Sequence, residues 1–171
     1  MDLASVVSRA LPSAERHGNL VRDSWDRLSA LPGGKRLFSR LVGVAAPYTG
    51  SVGARVVELG RGRSRVELPD RRSVRNHLDC VHAIALCNLA ELTGNVAVAY
   101  SLPDDARFIV KGLAIEYVKK ARGTITGETR CELPTTSEER ELDVPVVLRD
   151  EAGDVVARAE LRTLIGPKRR R

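Results

Sequence analysis

The sequence predicts an α+β domain in which a curved antiparallel sheet wraps around one buried helix. Three observations predict it. Residues 76–94, NHLDCVHAIALCNLAELTG, are apolar on nearly every side, so a helix there has to be enclosed by other structure. Outside that segment, the pattern from residue 51 onward has a period of two, as in strands with one wet and one dry face. A flat sheet would cover only one side of such a helix, so the sheet has to curl about it.

The elements follow in order. Up to about Ala46 the chain reads as helical and amphipathic. Leu20, Trp25, Leu28 and Leu31 form one apolar stripe, ended by Pro32-Gly33-Gly34, and Leu37, Phe38, Leu41 and Val42 form a second. Pro47 to Gly50 punctuates the chain. Residues 51–59 and 63–69 alternate apolar with polar around Gly60-Arg61-Gly62 and predict a hairpin. The central helix is expected at about 79–93, with Asp79 as N-cap and Gly94 as C-cap. Further strands are expected at 95–102, 107–119, 122–133, 141–149 and 154–165, the last two joined by the turn Asp150-Glu151-Ala152-Gly153. This divides the chain into a helical extension (1–46), a sheet-and-helix domain (47–166) and a basic, disordered tail (167–171).

Composition removes several function classes. The chain has 171 residues, 43% of them apolar, enough for a core without staples. Aromatics make up only 4%, too few for a stacking platform for single-stranded nucleic acid. Lys168, Arg169, Arg170 and Arg171 supply four of the six net positive charges, so the body is close to neutral and nucleic acid is not an expected partner. Cys80, Cys87 and Cys131 are too few and too scattered for a disulfide framework, and no Cys/His metal spacing is present. Cys80 and Cys87, seven residues apart, are expected two turns apart on the same helix. No metal and no resident cofactor is expected. An apolar leader and a membrane-length apolar run are not found either, which points to a cytoplasmic protein without a membrane partner.

Chemistry concentrates around the apolar helix. Asn76, His77, Asp79 and His82 crowd its start, and Glu91 is expected in its last turn. An isolated carboxylate is costly to bury without a partner or a task. Apolar surroundings push a carboxyl pKa upward, toward the range useful for base catalysis. A helix N-terminus offers unpaired N–H donors and a positive dipole end, suited to negative charge developing on a carbonyl oxygen. The plainer alternatives are a Glu91 paired with a nearby Arg or Lys and a His82 that merely caps the helix.

These residues resemble the hotdog-fold thioesterase superfamily, most closely its phenylacetyl-CoA thioesterase branch. There an Asn is followed six residues later by His-Gly-Gly and nine further on by an acid; here Asn76 is followed by His82-Ala83-Ile84 and then Glu91. Gly112 to Tyr117, running into Lys119-Lys120-Ala121-Arg122-Gly123, resembles the central strand pair of these proteins. The resemblance spans roughly residues 45–166, and the N-terminal helices are similar to an extension in one thioesterase-like subgroup. It implies a hotdog fold and an acyl-CoA thioesterase, with an acyl-CoA or acyl-carrier thioester as substrate and coenzyme A entering only as part of it. In that reading Glu91 is general base or nucleophile, the Ala83 N–H is the oxyanion donor, and Asn76 and His82 assist. Asp79 and Asn88 lie beside the substrate, with Asn88 on the Glu91 face and placed to bond it. Lys119, Lys120 and Arg122, expected at a hairpin tip, would cradle the coenzyme A phosphates. His82 and Glu91, nine residues apart, fall about 180° apart around a helix. Each site therefore needs a second subunit, and the resemblance implies a homodimer that can pair further into a tetramer. His-Ala-Ile in place of His-Gly-Gly is a departure. It keeps open a non-catalytic acyl-binding domain on the same fold. A hydroxyacyl-thioester dehydratase using His77 with Glu91 is a minor alternative, because the Pro/Gly-rich context of that histidine is missing.

Overall fold

The computed structural model describes residues 18–168. Three helices open this part of the chain: α1 (Leu20–Leu28), α2 (Gly34–Ala45) and α3 (Pro47–Ser51). The hairpin β1 (Arg55–Gly60) and β2 (Arg63–Leu68) follows, then the long helix α4 (Ala83–Ser101). After it come β3 (Ala106–Tyr117), β4 (Ile125–Arg130), β5 (Arg140–Arg149) and β6 (Val155–Pro167). The strands form one antiparallel sheet in the order β1-β2-β4-β5-β6-β3. Helix α4 touches every one of them, so the sheet does curl about the helix.

Helix α4 lies in the predicted place but is displaced and longer. It begins at Ala83 with His82 as N-cap, and it continues through Gly94 to Ser101, taking in the segment expected as a strand at 95–102. Two physical reasons account for the difference. A helix buried all round has no apolar period, so residues 95–102 carry nothing that separates helix from strand. Gly94 is there for packing, since a Cβ on it would stand 2.8 Å from Leu161 Cδ2. Gly127 on β4 plays the same part from the sheet side, where a Cβ would collide with the Thr93 hydroxyl. Two glycines thus let helix and sheet approach closely. Asp79 is not a cap; it sits in the preceding loop with φ 50°, and Cys80 also precedes the helix. At 19 residues α4 is long and apolar enough to cross a membrane, a run the sequence reading missed, but it is the core of the domain and 12 of its residues are buried.

One side chain reaches three carbonyls at the far end of α4. Asn19, buried ahead of α1, accepts from Arg22 N at 2.9 Å and so caps α1. Its amide donates to the carbonyls of Ala99 (2.6 Å), Tyr100 (3.2 Å) and Leu102 (3.0 Å), groups the end of α4 leaves without helical partners. Of the predicted α1 stripe Trp25 is buried, packed edge-to-face on Phe38 of α2 with ring centres 5.1 Å apart, whereas Leu31 is exposed beyond the helix end.

The two edges of the sheet are treated differently. Helix α2 seals β1: Lys35 Nζ donates to the Val57 carbonyl at 2.7 Å, and Ser39 Oγ accepts from Val56 N at 3.0 Å. At the other end β3, 12 residues long, pairs with β6 and with no strand on its outer side among the described residues. The segment expected in the middle of the sheet is therefore its open edge. It follows that 118–124 is no hairpin tip, because β3 and β4 are not neighbours and the segment crosses from one to the other past β5 and β6. At the C-terminus Pro167 still belongs to β6, and Lys168 donates to the Asp104 carbonyl at 2.6 Å, so both are part of the ordered fold. The rest of the expected tail, residues 169–171, lies outside the described residues.

Asn19→Leu removes the cap of α1 and takes the amide donor away from the carbonyls of Ala99, Tyr100 and Leu102. Chemical denaturation should show a loss of about 2 kcal/mol, from a cap worth roughly 1 kcal/mol and buried hydrogen bonds worth a similar amount.

Candidate active site

The loop from Pro69 to His82 brings the polar cluster to the start of α4, and its geometry is set by one ion pair. The Asp70 carboxylate grips the Arg75 guanidinium at 2.7 and 3.1 Å and accepts from Gly123 N at 3.1 Å. The hydrogen bonds from Val81 N to Ala121 O (2.8 Å) and His82 N to Val74 O (2.8 Å) fasten the rest. Asn76 stiffens the turn from within: its Oδ1 accepts from Leu78 N at 2.9 Å, Cys80 N at 3.4 Å and Cys80 Sγ at 3.3 Å. Only its Nδ2 is left to donate elsewhere. His77 and Asp79 are exposed.

His82 takes the capping role. Its Nδ1 accepts from Ile84 N at 3.0 Å, which uses one of the free donors of the first helical turn. The Ala83 N–H has no acceptor among the described residues, so it stays available at the helix start.

Glu91 is in the middle of α4, not in its last turn. It is half-buried, and among the described residues it makes neither an ion pair nor a hydrogen bond; pairing with a nearby Arg or Lys does not occur there. It shares with Ile84, Cys87 and Asn95 the stripe of α4 that the sheet covers least. Asn88 does not bond Glu91. It is 4% exposed, and its amide donates instead to the Tyr48 carbonyl of α3 at 3.2 Å. That bond fixes which side-chain atom is which, and leaves Asn88 Oδ1 buried without a donor, like Asn95 Oδ1. Along the axis Ala83 and Glu91 are separated by about 12 Å at 1.5 Å per residue, so within one chain they cannot meet on one carbonyl group.

The expected phosphate cradle divides. Lys119 is held by Asp150 at 2.8 Å and Asp154 at 2.7 Å, and these carboxylates, Asp150 first, raise its pKa. Its charge is spent on the β5–β6 turn. Lys120 and Arg122 remain exposed without ion pairs among the described residues, flanking Ala121, whose carbonyl holds Val81. Among the described residues no group of three His, Cys, Asp or Glu side chains is placed to hold a metal ion.

Comparison with known proteins agrees with the fold. A family model described as a domain of unknown function, DUF4442, matches residues 34–165. The chain belongs to the DUF4442 family. The structural-genomics protein APC5556 is 32% identical, with a TM-score of 0.76 over 86% of this chain and 99% of its own. PA5026 from Pseudomonas aeruginosa, described as a "Probable Thioesterase", is 25% identical, with a TM-score of 0.70 over 81% of this chain and 97% of its own. Thioesterase HI1161 from Haemophilus influenzae shares the fold at 13% identity and a TM-score of 0.62, covering 70% and 82% of the two chains. No curated protein matches the sequence. The architecture of this DUF4442 chain is the hotdog fold, shared with these structures.

Two residues beside the start of α4 escaped the sequence reading. Tyr117, at the end of β3, donates to the Ala83 carbonyl at 3.1 Å, and Cys87 Sγ lies 3.1 Å from the same phenol oxygen. Burial, with Cys87 beside it, pushes the Tyr117 pKa up to about 12. Cys87 was legible in principle, standing one turn before Glu91 on its face. Nothing in the strand pattern marks Tyr117.

Asp70 gives the site loop a pH signature. The hydrogen bond from Arg75 holds its carboxyl below the usual range; burial, the next largest effect, opposes it, and the Gly123 N–H and the Arg75 charge add to the lowering. A depressed folded pKa means that this stabilisation is complete above the unfolded value of about 3.9 and is lost as pH falls through the folded value. Protection of the 70–82 amides, measured relative to their intrinsic exchange rate, should therefore fall below roughly pH 4. Asp70→Asn should exchange fast at neutral pH and lose that acid step.

Proposed function

We propose that this protein hydrolyses acyl thioesters, with acyl-CoA as the leading substrate class. One observation carries the reading: the central helix of a hotdog fold holds a half-buried Glu91 carboxylate and a free Ala83 N–H, neither with a partner among the described residues. The likeness to PA5026 across nearly its whole length supports it. In the proposed reaction Glu91 takes a proton from a water, which attacks the thioester carbonyl. Charge gathers on the carbonyl oxygen, facing Ala83 N–H and the positive end of α4. The tetrahedral adduct then expels the thiolate, which takes up a proton as the free thiol, and the acid is released. Direct attack by Glu91 would instead form a mixed anhydride, which water cleaves. The free Nδ2 of Asn76 is the group left to steady the substrate, and Lys120 and Arg122 stand near the same helix start to meet its phosphates.

The reading requires two chains. The axial gap between Ala83 and Glu91 closes if two α4 helices lie antiparallel, each bringing its start to the other's middle. Open β3 edges and half-covered Phe108, Val110, Leu113 and Ile115 suit such a pairing. A second reading, acyl binding without cleavage, has one observation in its favour: His82 already occupies Ile84 N–H, so the oxyanion has one backbone donor fewer.

Two substitutions separate the readings. Glu91→Gln should lower turnover of a panel of acyl-CoAs by roughly a hundredfold or more while leaving the fold intact. Ala83→Pro deletes the proposed donor at the first helical position, where proline is favoured, and His82 with φ −63° and ψ 139° already has the backbone that proline demands. Turnover should fall by about 10² to 10³ with melting unchanged. Wild-type hydrolysis of every thioester at zero, with acyl ligand still bound, would establish the second reading. In sedimentation the protein should run as a dimer; an active monomer would exclude the shared site.

A further inference from the structure

An open groove of about 770 Å³, lined by α2, α3 and the start of β1 and by no residue of α4, lies on the helical side of the molecule. Its floor is nearly free of side chains. Gly50 lies so close to Gly43 that a Cβ on it would stand 2.8 Å from the Gly43 carbonyl oxygen, and Val44, Pro47 and Ala54 supply a small apolar lining. Arg36 and Arg40, one turn apart on α2, line one side and Arg55 lines the other. Arg71 stands at the end of the groove, over Gly53, and donates to the Ser51 carbonyl at 3.3 Å.

No carboxylate lines this groove, and Arg36, Arg40 and Arg55 make no ion pair among the described residues. Glu67 opposes Arg55 across the β1–β2 ladder, yet it too is outside the ion pairs. Two like charges one turn apart on a helix repel, and a third guanidinium opposite adds to the cost. Guanidinium groups are matched to phosphate oxygens, which they bind through paired N–H donors, and their flat faces stack on planar rings. The bare, glycine-lined floor suits a small ligand entering a concavity better than a flat lipid surface.

We propose that this groove binds a nucleotide carrying two or more phosphates, with Arg36, Arg40 and Arg55 on the phosphates and the base along the Val44–Pro47 strip. The site is separate from Glu91 and independent of the thioesterase reading.

Calorimetric titration of the full chain with ATP, inorganic pyrophosphate and adenosine tests it. ATP should bind saturably, pyrophosphate more weakly, and adenosine not at all. Arg36→Gln, Arg40→Gln and Arg55→Gln combined should weaken ATP by at least roughly tenfold, given charge-assisted hydrogen bonds of about 1.5–3 kcal/mol. Glu91→Gln should bind ATP as the wild type does, so failure of the hydrolytic reading leaves this measurement untouched. Absence of ATP binding, or ATP binding unchanged in the triple variant, overturns the proposal. So does ATP binding that is lost in Lys120→Gln/Arg122→Gln instead. Equal affinity for pyrophosphate and ATP would reduce the groove to a bare phosphate site and overturn the nucleotide assignment. Binding to phosphatidylglycerol vesicles with no response to ATP would overturn it in favour of a membrane contact.

Discussion

Everything in this fold follows from the need to enclose one helix that is apolar on all sides. An amphipathic helix can rest on a flat sheet, but α4 has to be touched by every strand. That requirement bends the sheet and removes side chains at Gly94 and Gly127 where the two surfaces meet. Thr93 and Ser101 bond back to carbonyls of their own helix, and Ser64 reaches the Thr93 carbonyl. The polar groups of α4 that lack such partners, on Glu91, Asn88 and Asn95, lie along or beside one stripe. A core this demanding tolerates unpartnered groups only where another chain, water or a ligand supplies what is missing.

The loop before α4 shows how the same helix acquires chemistry. Its first turn projects beyond the sheet, so its donors have to be answered locally, and His82 answers for Ile84 alone. Asp70, Arg75 and Asn76 hold the approach to that turn rigid through charge and backbone contacts instead of through packing. Preorganised donors are useful to catalysis because no reorganisation is needed when charge develops. Tyr117 extends this frame from the edge strand, which ties the helix start to the part of the sheet that remains uncovered.

Much of the architecture was legible because it rests on periodicity. Strand alternation located the sheet, and the absence of alternation around residue 85 located the enclosed helix. Boundaries were lost for the same reason: NVAVAYS reads like a strand, yet it is the last part of the helix. Gly94 reads as a stop in sequence, because only the structure shows Leu161 pressing against it. Glu91 and Ala83 were singled out by their spacing in the resembling motif, and the capping role of His82, named there as the plainer alternative, is the one it takes. The engagement of Lys119 with two aspartates was hidden, since Asp150 and Asp154 are distant in sequence. Asn88 was assigned to the wrong neighbour because α3, which supplies the Tyr48 carbonyl, read as a break in the chain.

The unequal treatment of the two sheet edges has a consequence for assembly. An exposed strand is a template, and repeated templating leads to fibres. Here Lys35 and Ser39 occupy the backbone groups of β1 that a further strand would need. Two chains joined at β3 would consume both open edges in a single symmetric contact and present only sealed ones outward. Growth along the sheet would then stop at two, a closed association limited by geometry instead of by concentration.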